Sequence, residues 1–198
     1  MKIFKALLVI LFCMLTFFTS AFAQGGFMAV ANVSKISGTA FINKEEIKVG
    51  AEIAEGMELS MPKKGDYVEV KFQNGHLVRF VGAKVKVTAL NPKNTLFTLL
   101  KGKIFSAIKP LTQNETFQVK TRQASFGVRG TQFMIEENSK QTYLCVCEGV
   151  VNAKTSKANV DVNKDEDVLI APKRKLKATL ATKSMIDMTK ATFKEMGI

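Results

Sequence analysis

The side chains of this chain that could do chemistry are few and widely spaced. His76 is the only histidine among the 198 residues. No Asp or Ser pattern adjoins it, so spacing alone assembles no nucleophile with an imidazole base. Beside the Gln73-Asn74-Gly75 loop it reads as solvated polar surface. Cys145 and Cys147 share one face of a strand, with side chains roughly 6.6 Å apart along the chain. That is too far and too parallel for an unstrained mutual disulfide. They read as core thiols, with pairing between molecules as the alternative in an oxidising compartment. A metal would need two further ligands, and the carboxylates are scattered. Gly127-Val128-Arg129-Gly130-Thr131 has neither the lysine nor the spacing of a phosphate-binding loop, so its glycines read as backbone geometry. The sequence therefore predicts no catalytic residue, no cofactor and no metal.

The elements that would carry these residues are strands. In Phe117–Ile135, FQVKTRQASFGVRGTQFMI, apolar residues alternate at Phe117 and Val119, and the pattern breaks across Thr121–Gln123. It resumes at Phe126 and Val128 and again at Phe133 and Ile135. Gly127 and Gly130 would permit a kink or bulge. Arg129, held between Val128 and Gly130, is expected to be at least half buried and paired, because an unpaired buried guanidinium costs several kcal/mol.

The clearest hairpin is YVEVKFQNGHLVRF. Val68, Val70 and Phe72 occupy one face, and Val78 and Phe80 must join it for the returning strand to bury its own apolar set. A two-residue Asn74-Gly75 turn would pair Val70 with Arg79. A three-residue loop, Gln73-Asn74-Gly75 with Gly75 left-handed, pairs Val70 with Val78 and Val68 with Phe80. The longer loop is predicted, with Glu69, Lys71, Leu77 and Arg79 on the other side. Short strands are expected at Val30–Ser37, Thr39–Ile42 and Ile47–Val49, then onward to Val168–Ile170. Leu99–Ile104 is echoed by Val146–Val151, each an aliphatic strand, a charged residue, a glycine and a second strand. Stacked units of that kind suit a roll or solenoid-like sandwich. The predicted fold class is all-β: one β-sandwich or β-roll domain, with a short C-terminal helix or tail.

The central stretch resembles the core signature of FecR-like domains, through the short strand after Thr121, the VRGT sequence and the QFMI strand. The resemblance reaches back to Gly50, Gly56 and the VEVKFQNGHLVRF hairpin, and forward to TYLCVCEGVVNA, covering about Val30 to Ile170. Its signature residues here are Thr121, Gly127, Arg129, Gly130, Thr131, Glu148 and Gly149. Arg122 stands where the family usually has a proline after the Thr. The resemblance implies a bacterial envelope module that binds or transmits rather than catalyses, and it leaves the partner open.

Charge and targeting narrow the setting. Lys2 and Lys5, the apolar run Ala6–Phe18 and the triplet Ala21-Phe22-Ala23 read as a signal peptide over residues 1–23, cleaved after Ala23. A leader at 24–29 and a β-domain at 30–171 follow, then a basic tail or helix at 172–198. The expected location is the periplasm or beyond, with no membrane-spanning segment after cleavage. The net charge of +12 falls to +10 when the two signal-peptide lysines are lost, and such a surface favours polyanions. With four arginines and two tyrosines, base recognition is disfavoured and nucleic acid is not expected.

Lys173, Arg174, Lys175 and Lys177 form a basic run suited to an anionic polymer or lipid surface. Ser184 would cap a helix to Met196 with Ile186, Phe193 and Met196 on one stripe. This tail is expected to be mobile and dispensable for the fold. Two functions follow, an exported envelope module that binds a protein partner, or a binder of anionic envelope polymer or lipid.

Overall fold

The computed structural model describes residues 30–198, so the expected signal peptide (1–23) and leader (24–29) lie outside the described residues. Sixteen strands and one helix are formed. β1 (Ala31–Ser37), β2 (Phe41–Ile42), β3 (Glu45–Glu46), β4 (Glu52–Ile53) and β5 (Glu58–Ser60) make an opening meander. A hairpin of β6 (Tyr67–Phe72) and β7 (Leu77–Asn91) leads into β8 (Asn94–Ala107). Then come β9 (Thr116–Lys120), β10 (Ser125–Val128), β11 (Gln132–Glu137), β12 (Thr142–Glu148), β13 (Val150–Lys154), β14 (Asn159–Asn163), β15 (Glu166–Ile170) and β16 (Thr179–Leu180). The helix α1 spans Lys183–Glu195. All sixteen strands belong to one hydrogen-bonded sheet, and the all-β fold class with a short C-terminal helix holds.

The sheet doubles over at the long β7–β8 hairpin. The first part of β7 pairs with β6 and with the end of β8, and its second part pairs with β5 and the start of β8. One half of the sheet therefore runs β14-β13-β10-β9 to the start of β8, and the other runs from the end of β8 through β11, β12 and β15. The corner needs glycine. Gly102 has φ +89°, and a Cβ there would lie 2.5 Å from the Ala83 Cα, so the two strands cross at backbone contact, closer than any side chain would permit. β8 and β9 pair in parallel.

The two halves face each other across the main core. Phe72 and Phe80 from one half meet Phe97 from the other, with ring centroids 6.3 and 5.2 Å apart, and Phe117 closes the cluster 5.9 Å from Phe97. Edge-on packing of this kind adds to the stabilisation that comes from burial alone. The β6–β7 register is as predicted, with Val70 opposite Val78 and Val68 opposite Phe80. Gly75 is left-handed at φ +83°, and the Gly75 N–H donates to the Phe72 carbonyl at 3.0 Å.

Three local expectations are corrected. Ile47–Val49 forms no strand, because Asn43 and Lys44, both at positive φ, reverse the chain early and put β3 at Glu45–Glu46. Gly127 sits in regular ladders to Gln118 and Asn152, so the turn in the central stretch rests on Gly130 alone. The C-terminal segment is packed rather than loose. Thr182, two residues before Ser184, caps α1 by accepting from the Met185 N–H. Ile186, Phe193 and Met196 bury against Phe105, Ala107, Met134, Cys145 and Cys147 on the outer face of the second half. Phe193 lies edge-on to Phe105 at 6.1 Å.

Candidate interaction surfaces

Five of the seven signature positions fall into two places, while Gly127 and Arg129 lie apart on the outward face of β10 and just after it. Gly130, Thr131, Glu148 and Gly149 meet at one corner, where β12 passes to β13. A Cβ on Gly149 (φ +80°) would lie 2.6 Å from the Gly130 carbonyl oxygen and 2.7 Å from Thr131 Cγ2. Thr131 is buried there, and its hydroxyl has no partner among the described residues. Glu148 points outward and pairs with Lys164 at 2.7 Å. Thr121 belongs to a separate buried polar knot. Its hydroxyl shares a hydrogen with Thr142 at 2.9 Å, and Thr142 donates to Glu137. Once its amide is oriented to suit its neighbours, Gln123 donates to Glu137 at 2.8 Å. Burial pushes the Glu137 carboxyl above its ordinary value, against the Thr142 hydrogen bond and the charge of Arg122.

Arg129 is exposed and makes no ion pair with any described residue, which overturns the expectation that it is buried and paired. The reason lies in the alternation itself. Phe126 and Val128 point into the core, so Gly127 and Arg129 must point out.

The buried guanidinium is that of Arg79. Its Nε and Nη2 donate to Glu69 Oε1 at 3.0 and 2.7 Å, and its Nη1 donates to Glu195 Oε2 on α1 at 3.0 Å. The Tyr67 ring stacks 4.5 Å away. The strand alternation puts Glu69 and Arg79 together on the outer side of the hairpin but contains no reason for them to be dry. What buries them is α1, more than a hundred residues later.

His76 also departs from expectation. It is 3% exposed, its Nδ1 accepts from the Lys109 N–H at 3.2 Å, and its ring packs against Phe72 and Phe117. Burial holds its pKa below 6.5, outweighing the opposing charge of Glu115. The alternation that puts Val78 and Phe80 inward puts His76 inward too. Cys145 and Cys147 are free thiols buried under α1. The hydrogen bond with Cys145, with burial behind it, pushes the Cys147 thiol well up. Among the described residues no three His, Cys, Asp or Glu side chains cluster as a metal would require. No helix there is long and apolar enough to cross a membrane.

Two of the open recesses among the described residues bear on binding. The first, of about 800 Å³, runs along α1 over the β7–β8 corner, with Val81, Leu100 and Phe105 among its floor residues and Lys64, Lys84, Lys101, Lys103 and Arg122 at its edges. The second, of about 650 Å³, lies between the Thr155–Ala158 turn and the Ile170–Leu176 segment. Lys173, Arg174 and Lys175 line it, and with Lys177 all four residues of the basic run are exposed.

Residues 62–152 match the family described as FecR protein. Two crystal structures of a candidate anti-sigma factor from Parabacteroides distasonis share the fold at TM-score 0.57, with 17% and 18% identity. Each alignment covers 66% of this chain and 62% of the other, so the match spans less than two thirds of those proteins. Comparison with curated proteins finds no match. The matched segment, from Pro62 to Asn152, spans both halves of the sheet and the corner that joins them.

Proposed function

We propose that this protein is an exported, non-catalytic envelope module that acts by binding a protein partner, in a signalling or structural role. The observation that carries this reading is the groove beside α1. Its floor residues Val81, Leu100 and Phe105 all come from the FecR segment, while α1, which walls it with Thr192 and Glu195, lies outside that segment. A platform from the matched segment with a wall from outside it suits recognition of one partner. Leu100, 42% exposed in its lining, offers an apolar contact, and Lys64 and Lys101, which form no ion pair with a described residue while Lys84 and Lys103 pair with Glu58 and Glu136, favour a partner that presents an apolar side chain beside a carboxylate. A buried apolar anchor with a charged rim is how protein contacts concentrate their energy. Likeness to anti-sigma structures supports a regulatory setting.

A photo-crosslinking residue at position 100, in cells expressing the full chain, should give one discrete adduct in the periplasmic fraction. Leu100→Glu, tested with the crosslinker at the neighbouring exposed position 101, should abolish it. Recovery of the uncleaved chain in the inner membrane would overturn the exported reading. Adducts spread over many proteins would overturn the groove.

A second reading, binding of an anionic envelope polymer or lipid, is favoured by one observation. The basic run Lys173, Arg174, Lys175 and Lys177 is exposed, and none of its members forms an ion pair with a described residue.

A further inference from the structure

Four connections end at the same edge of the folded sheet. The register brings the β9–β10 turn (121–124), the β11–β12 turn (138–141), the β13–β14 turn (155–158) and the segment after β15 (171–177) together there. Arg122 Nη1 donates to the Ser139 carbonyl at 3.2 Å, tying the first turn to the second. Gln123, Lys157, Lys173, Arg174 and Lys175 line one recess of about 650 Å³ between the others. These loops carry Arg122, Lys140, Lys157 and the basic run, and contain no Asp or Glu. None of these cations forms an ion pair with a described residue, whereas the opposite edge pairs Lys164 with Glu148. Lys173, Arg174 and Lys175 of the basic run thus form one wall of a groove whose other wall carries Lys157, and Lys177 lies just beyond it in the chain.

We propose that this loop edge is a binding groove for a linear anionic polysaccharide. The proposal rests on reading the basic surface as anion-binding, and it adds the place and the ligand class. A groove with cations on both walls accepts an extended chain of spaced charges, while a flat bilayer would touch only its rims. Among the described residues the exposed large apolar side chains are Val49, Leu100, Val150, Leu180, Met188 and Ile198, and none lies in these loops, which leaves them without an apolar side chain to insert into a membrane. Lysine outnumbers arginine, which suits summed point-charge attraction over bidentate recognition of one group.

The test is binding of the full chain to heparin and to polygalacturonate, with neutral dextran as the control. Both polyanions should bind and dextran should not, whether the polymer carries sulfate or carboxylate. Matching three or more charges should weaken binding roughly 40-fold or more between about 50 and 200 mM salt. The variant Lys157→Gln/Arg174→Gln/Lys175→Gln should lose about tenfold or more in affinity, with a salt slope lower by about 3. Lys71→Gln/Lys93→Gln/Lys109→Gln removes the same charge from exposed positions at the other edge and should bind nearly as the wild type does. Equal weakening by the two variants would overturn the groove and leave only bulk charge. No polyanion binding by the wild type at low salt would overturn the anion reading itself. Binding to phosphatidylglycerol vesicles but not to the soluble polymers would replace the polysaccharide with a membrane surface.

Discussion

At the scale of single residues, Arg79 carries more of the structure than any other charge described here. It is dry, donates twice to Glu69 and stacks on Tyr67. Its third contact, to a largely exposed Glu195, adds little. Arg79→Met should cost about 3–5 kcal/mol in urea unfolding, because it strands the Glu69 carboxylate without a counter-charge. Adding Glu69→Leu should recover much of that loss. Arg129→Met, by contrast, should stay within about 0.5 kcal/mol of wild type, as exposed positions generally do. The contrast shows what was readable. Alternation alone locates the inward set, and applied strictly it would have placed Arg129 outside and His76 inside. It could not reveal that the outward pair Glu69 and Arg79 is covered, since the cover comes from a distant helix.

His76 gives a test in pH. Its charged form is disfavoured by burial in the folded chain, so the unfolded chain binds the proton more readily. Stability is therefore full above the unfolded value near 6.5 and declines as pH falls below it. Glu137 works in the other direction, since its raised value means that stability falls as pH climbs past 4.5 and the carboxyl ionises. His76→Asn can keep an acceptor for the Lys109 N–H and removes the titration. Urea midpoints of this variant should fall less steeply than those of the wild type between about pH 7 and 5. Parallel curves for the two proteins would mean that the imidazole titrates freely in the folded chain.

At the scale of elements, α1 decides whether the second half of the sheet is finished. The stripe Ile186, Thr189, Phe193 and Met196 follows helical spacing, so the helix and its apolar face were legible. Its docking site was not. Met134, Cys145 and Cys147 alternate with the core-facing Phe133, Ile135, Leu144 and Val146, and β11 and β12 are apolar on both faces. A strand buried on both faces needs a second cover, and that continuous apolar run was the available signal. Truncation after Ala181 would uncover this face and remove three buried apolar side chains, a loss of roughly 5 kcal/mol by area. For a domain of this size the thermal midpoint should fall on the order of 10–20 °C. Cys145 and Cys147, shielded in the full chain, should then react with a thiol reagent under native conditions. An unchanged midpoint with unreactive thiols would show that α1 rests on the sheet without stabilising it.

At the scale of the whole molecule, the question is whether the two halves of the sheet can come apart. β7 and β8 each contribute residues to both halves, and the Phe72, Phe80, Phe97 and Phe117 cluster lies between them. Unzipping either half would break ladders that the other half also uses, and would expose rings buried in the shared core. A chain so connected should unfold as one cooperative unit although its sheet has two faces. Native-state amide exchange should therefore give the slowest amides of β9 and β10 in one half, and of β11 and β12 in the other, opening free energies within about 1 kcal/mol of each other. Both should match the global value from denaturant unfolding. A gap of about 2 kcal/mol or more between the halves would mean that the β7–β8 corner acts as a hinge. In that case the groove over the corner, where Leu100 and the lysines gather, would open and close with the sheet and present no fixed face to a partner.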